Sequence, residues 1–71
     1  MKIIVMTNGW VLLGELKKNV LTKARVVRRW GTNEGIGELR NGKLKDTVLD
    51  ELPDTKINKK NIIFEFEVEG F

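Results

Sequence analysis

The sequence predicts an all-β domain with one short helix, arranged as a small five-stranded antiparallel barrel. Three observations favour this fold: a hairpin sequence near the start, a central stretch rich in β-branched residues, and a final strand in which apolar and acidic residues alternate. With 71 residues and no cysteine, the chain accommodates a single domain, residues 1–71, that no disulfide stabilises.

The first two strands are expected at residues 2–7 and 10–17, joined by Asn8 and Gly9. Asn-Gly between two apolar runs is typical of a two-residue type I′ turn, which pairs Met6 with Val11 here. Both faces of the hairpin are then apolar. One face holds Ile4, Met6, Val11 and Leu13, and the other holds Ile3, Val5, Trp10, Leu12 and Leu16.

A hairpin that is apolar on both faces needs more cover than a lone small sheet supplies. We therefore expect a homo-oligomer in which one face of the hairpin contacts a second copy of the chain. The predicted interface residues are Ile3, Val5, Trp10 and Leu12. Cover by the chain's own elements or by barrel closure is the alternative, and Gly14 marks the place where the second strand bends.

Residues 20–30 favour a third strand, with a helix beginning at Thr22 as the alternative. Residues 34–41 predict a two-turn helix capped by Asn33 and followed by Gly42. A fourth strand is expected at 46–50, and a single 3-10 turn at 58–61. The last strand, 61–68, should bury one face and expose the other. The buried face holds Ile62, Phe64, Phe66 and Val68, and the exposed face holds Ile63, Glu65, Glu67 and Glu69.

Charge is distributed unevenly along the chain. Residues 17–45 hold nine basic and two acidic side chains, a net charge of +7, whereas residues 46–71 hold three basic and seven acidic ones, a net charge of −4. Opposite halves of this kind are typical of a polyanion site, of complementary patches between subunits, or of attraction within one fold.

A basic segment with a tryptophan is the strongest candidate binding site. Arginine binds phosphate in a bidentate manner, and an exposed tryptophan stacks on nucleobases, so DNA or RNA is the predicted ligand. The residues are Lys23, Arg25, Arg28, Arg29, Trp30 and Arg40. The competing interpretation makes Trp30 a core or interface residue and pairs the arginines with Glu65 or Glu67 of the last strand.

Enzymatic chemistry has little support in this composition. The chain lacks histidine, cysteine, serine and tyrosine, so the usual nucleophilic triads and zinc sites cannot be built. Asp46, Asp50, Glu51 and Asp54 leave a small carboxylate enzyme or metal site as a weak alternative to a solvated acidic turn. We expect a non-enzymatic protein with no catalytic residues, no metal and no cofactor.

Three motifs carry a resemblance that covers the chain from Ile3 to Val68. ARVVRRWGT at 24–32, GIGEL at 35–39 and TVLD at 47–50 resemble a family of short proteins from bacteria, phages and mobile gene cassettes. The resemblance implies a mobile-element context but no activity. The expected strand order and the bend at Gly14 look like the small SH3-like or Sm-like barrels. The Arg-Gly pair of Sm uridine sites is absent, so that pocket is not carried over.

No apolar run reaches the length of a signal peptide or of a membrane span. The sequence therefore predicts a cytoplasmic protein that does not interact with membranes.

Overall fold

The computed structural model describes all 71 residues and contains six β-strands and two short 3-10 helices. The strands are β1 (Lys2–Met6), β2 (Val11–Lys17), β3 (Val20–Arg29), β4 (Val48–Glu51), β5 (Thr55–Lys56) and β6 (Ile62–Glu67). The 3-10 helices span Ile36–Asn41 and Lys59–Asn61. The all-β prediction is confirmed. None of the helices has the length and hydropathy that crossing a lipid bilayer requires.

All strands belong to one antiparallel sheet in the order β4-β3-β2-β1-β6, and β5 pairs with the start of β3. Five of the strands correspond to the predicted ones, and the two-residue β5 was not predicted. The outer sides of β4 and β6 have no strand partner, so the sheet is open. Because the sheet is not closed, it does not show the five-stranded barrel expected from the sequence.

The hairpin between β1 and β2 forms, but its turn is one residue longer than predicted. The Met6 N–H donates to the Trp10 carbonyl and the Gly9 N–H donates to the Met6 carbonyl, both at 2.9 Å. Within the turn only Gly9 has a positive φ, of 91°, which is typical of a three-residue loop ending in a left-handed glycine. The type I′ turn was wrong, and Val5 rather than Met6 lies opposite Val11.

This one-residue shift exchanges the hairpin faces, because side chains alternate with a period of two. The first hydrophobic cluster contains Ile3, Val11, Leu13, Val27, Leu39 and Val68. The second contains Ile4, Met6, Leu12, Leu21, Ala24 and Ile57. Apolar side chains therefore lie on both faces of the sheet, as predicted. However, Ile3 shares its face with Val11 and Leu13, and Ile4 shares its face with Leu12, which is the reverse of the predicted grouping.

Both apolar faces are covered by the chain itself. The first 3-10 helix and the C-terminal residues pack on the first cluster through Leu39 and Val68, and residues 52–57 pack on the second through Leu52 and Ile57. The hairpin therefore does not need a second copy of the chain to cover its apolar faces, which was the basis for predicting a homo-oligomer. Of the predicted interface residues, Ile3 and Leu12 are 0% and 7% exposed.

Two bulges interrupt the alternation of β3. The register with β2 shifts between Leu13 and Glu15, which places Lys23, with a φ of 52°, in the irregular stretch opposite Gly14. The register with β4 shifts between Val27 and Arg29. A Cβ on Gly14 would lie 2.8 Å from the Leu21 side chain, so the predicted bend at this glycine is a real close approach.

The predicted helix at 34–41 is a six-residue 3-10 helix that begins at Ile36. Asn33 does not cap it, and Gly35 precedes the first turn without a side-chain hydrogen bond. Glycines at 35 and 37 disfavour an α-helix, which explains the tighter and shorter form. The 3-10 turn before β6 is confirmed, and the Asn58 side chain accepts the Lys60 N–H at 3.0 Å. The alternative helix at 22–30 is wrong.

Candidate interaction surfaces

The basic residues at the middle of β3 lie among carboxylates. The Lys23 Nζ is 3.7 Å from the Glu15 carboxylate, and Arg25 is paired with Glu51 in the register of β3 and β4. Lys23, Arg25, Glu15, Glu51 and Asp54 line a depression of about 500 Å³. Charges of both signs meet here, so this part of the predicted site is not a basic patch.

The basic residues at the end of β3 have different surroundings. The Arg28 Nε donates to the Asp50 carboxylate at 2.8 Å, and the Arg28 side chain is 67% exposed. Arg29 is exposed and has no carboxylate within 4.0 Å. Trp30 is 41% exposed, while its carbonyl accepts the Thr47 hydroxyl at 2.7 Å. Lys23, Arg28 and Arg29 are spread along β3 and Trp30 follows its end, so these residues do not form one cluster.

Arg40 is separate from both groups, since it lies on the first 3-10 helix and donates to the Gly37 carbonyl. The arginines do not pair with the acidic last strand, because β2 and β1 separate β3 from β6. The residue that pairs with the acidic side chains of β6 is Lys2, whose Nζ is 2.6 Å from Glu65 and 3.9 Å from Glu67. The hydrogen bond and charge of Glu65 raise the pKa of Lys2 above its usual value.

The acidic residues at 46–54 are dispersed. Asp50 binds Arg28, whereas Glu51 and Asp54 line the depression near Arg25. No three acidic side chains converge in a geometry that would hold a metal ion.

Trp10 lines two adjoining depressions, which we treat as two parts of one groove and call the Trp10 groove. The first part, of about 380 Å³, is lined by Gly9, Trp10, Val11, Val26, Val27, Arg28 and Asp50. The second part, of about 270 Å³, is lined by Met6, Asn8, Trp10, Leu12, Val26, Leu52 and Thr55. Trp10 is 56% exposed. Its backbone is held by two hydrogen bonds: its carbonyl accepts the Met6 N–H, and its N–H donates to Asn8 Oδ1 at 3.2 Å.

The second surface is the outer side of β6. Ile63 and Phe64 are 59% and 47% exposed, and the Phe64 ring stacks on Phe66 with 6.5 Å between centroids. The alternation predicted a buried Phe64, but β6 has a neighbour on one side only and leaves this ring half in solvent. We call Ile63, Phe64 and Phe66, with the unpaired main chain beside them, the β6 edge.

The main chain of this edge is free to bond. The Val68 N–H donates to the carbonyl of residue 1 and points toward β1. Since directions alternate along a strand, the N–H and C=O groups of Glu65 and Glu67 point away from β1. The Glu69 N–H, on that outer side, donates to the Arg40 carbonyl at 2.8 Å. The first 3-10 helix therefore covers the chain beyond β6 but leaves β6 open.

Sequence reasoning identified Trp10 and Arg28 but assigned them to different sites. Their proximity depends on the pairing of β2 with β3, which no local pattern reveals. Comparisons of this chain with protein-family models, with curated proteins and with solved structures found no match.

Proposed function

We propose that the protein is a homo-oligomeric interaction module that associates through the β6 edge. The observation that carries this proposal is the combination of an unpaired strand edge with two exposed large apolar side chains, Ile63 and Phe64. An open edge with apolar side chains is a template for pairing with another chain. This surface replaces the predicted hairpin interface, of which Ile3 and Leu12 are buried within the chain.

The proposed partner is the same β6 edge of a second copy, paired antiparallel about a two-fold axis. With Phe64 on the axis, Ile63 lies opposite Glu65 of the second copy. Ile62 lies beyond the register shift of the β1–β6 pair and packs on the second cluster, whereas Phe66 packs on the first, so Ile62 takes no part in this contact. Directly opposite side chains share a face, so this register groups the aromatic rings and keeps carboxylates from facing each other. It also lets the free main-chain groups of Glu65 bond to Ile63.

Charge favours this symmetric pairing over a head-to-tail one. The other open edge, β4, carries Asp50 and Glu51. Pairing β4 with β6 would bring these carboxylates beside Glu65 and Glu67, and like charges across strands are destabilising even though Arg28 balances Asp50 and Lys2 balances Glu65. In the symmetric pair, Glu65 lies opposite Ile63 and not opposite a carboxylate. A two-fold pair is closed and uses one patch twice.

We also propose that the domain is related in architecture to the small SH3-like and Sm-like barrels. The strand order β4-β3-β2-β1-β6 and the bend of β2 at Gly14 support this relation. In the proposed dimer, the free edge of β6 pairs with β6 of the second copy and not with another strand of its own chain.

Light scattering across a range of concentrations tests the assembly. The wild-type chain should have twice its monomer mass at high micromolar concentration, and Phe64→Glu should be monomeric because it puts two carboxylates at the axis. Trp10→Ala is the control, since Trp10 is also an exposed aromatic residue, with 56% of its surface in solvent, but does not belong to β6. A monomeric wild type, or an unchanged mass for Phe64→Glu, would contradict the proposal.

A further inference from the structure

The two tryptophans of the chain differ in what surrounds them. Trp10 is 56% exposed and, with Val26, lines both parts of the Trp10 groove. Trp30 is less exposed and lines neither part. A ring that is exposed and bordered by open grooves accepts a flat ligand against it, and among the two tryptophans only Trp10 has this arrangement.

Arg28 lines the first part of the same groove and has hydrogen-bond donors that no protein group uses. Its Nε is held by Asp50 at 2.8 Å, and its two terminal nitrogens make no hydrogen bond within the protein. Asp50 therefore orients the side chain, which is 67% exposed, and leaves its terminal nitrogens without a partner in the protein. Two adjacent N–H groups in a fixed plane match the oxygens of a phosphate group.

The lining of the groove carries no net charge and so does not repel an anionic chain. Its one acidic residue, Asp50, lies in the first part and is balanced by Arg28, and the second part has no charged residue. Arg29, the next residue along β3, is exposed and unpaired. The walls beside Trp10 are apolar, with Val26 shared by both parts and Leu52 in the second.

From this combination we propose that the Trp10 groove binds single-stranded nucleic acid, with a base stacked on Trp10 and a backbone phosphate held by Arg28. Stacking on an aromatic ring is tolerant of sequence, and phosphate contacts make binding dependent on salt. The site is distinct from the β6 edge, so binding does not depend on the proposed assembly. Of the basic segment predicted from the sequence, this site keeps Arg28 but uses Trp10 in place of Trp30.

Fluorescence anisotropy with labelled homopolymers of about twelve thymidines or uridines tests the site at low salt. Trp10→Leu and Arg28→Ala should each weaken binding about tenfold or more, because one removes the stacking ring and the other a phosphate contact. The matched controls are Trp30→Leu and Arg25→Ala, which should leave the affinity within about twofold. Arg28→Ala should also reduce the slope of log affinity against log salt by about one.

Circular dichroism of each variant establishes that the fold is retained before its affinity is interpreted. Absence of binding by the folded wild type at low salt overturns the proposal. So does an equal loss of affinity in Trp10→Leu and Trp30→Leu, or an affinity that Arg28→Ala leaves unchanged. The Phe64→Glu variant should bind the same oligonucleotides, which separates this result from the outcome of the assembly experiment.

Discussion

Leu13→Ala is expected to lower the free energy of unfolding by about 2–5 kcal/mol. Leu13 is fully buried in β2, at the centre of the first hydrophobic cluster, between Ile3 of β1 and the β3 strand. The core of a domain this small seldom supplies more than about 3–5 kcal/mol of net stability. The variant should therefore be largely unfolded, or should unfold at far lower urea concentration than the wild type.

Urea denaturation followed by circular dichroism measures this effect, at one fixed protein concentration because association would add to stability. Thr7→Ala is the control, since Thr7 is exposed, lies outside the β6 edge, and its substitution should change stability by about 0.5 kcal/mol or less. A Leu13→Ala variant as stable as Thr7→Ala would contradict the packing described for the first cluster.

Gly31→Ala should be the second strongly destabilising change. Gly31 has a φ of 67°, and a Cβ there would lie 2.3 Å from the Asp46 carbonyl carbon and 2.5 Å from the Thr47 nitrogen. That neighbouring segment cannot move freely, because the buried Thr47 hydroxyl donates to the Trp30 carbonyl and accepts the Leu44 N–H. We expect a loss of more than about 2 kcal/mol, from the clash together with the positive φ.

Gly9→Ala separates these two causes. Gly9 also has a positive φ, of 91°, but a Cβ there would meet no atom within 4 Å. Its substitution should therefore cost only the conformational penalty, about 1 kcal/mol. Thermal unfolding of the two variants side by side is the measurement, and equal melting temperatures would mean that residues 46–47 do not pack on Gly31 as described.

The hairpin illustrates how much local sequence determines. Asn8-Gly9 between apolar runs located the turn and both strands correctly, since turn chemistry and alternation are local properties. The turn length was wrong by one residue, because Asn-Gly fits both a two-residue turn and a three-residue one. That single residue exchanged the hairpin faces and, with them, the predicted partners of Ile3 and Leu12.

The candidate sites were harder to predict, because they depend on contacts between distant residues. Arg28 and Trp10 are 18 positions apart and share a groove only because β2 pairs with β3. The bulges of β3 also break the alternation from which the faces of the basic segment were inferred. The composition indicated a marginal core, but not that residues 52–57 and the C-terminal segment would cover both faces of the sheet.

The β6 strand shows the same limit in a different form. Its alternation of apolar and acidic residues correctly predicted a strand, and Val68 is buried as expected. Alternation does not say whether a strand lies at an edge, and the edge position is what exposes Phe64. The residue that we place on the two-fold axis was thus predicted to lie in the core.

Disulfide formation by a Phe64→Cys variant tests the proposed assembly most directly, since the chain contains no cysteine of its own. Opposite residues in a non-hydrogen-bonded antiparallel pair have Cα atoms about 4.5 Å apart, which a disulfide can span. With Trp10→Cys as the control, mild oxidation should convert Phe64→Cys to a covalent dimer much faster. Equal rates for the two variants, or no covalent dimer of Phe64→Cys, would contradict pairing through β6 with Phe64 on the axis.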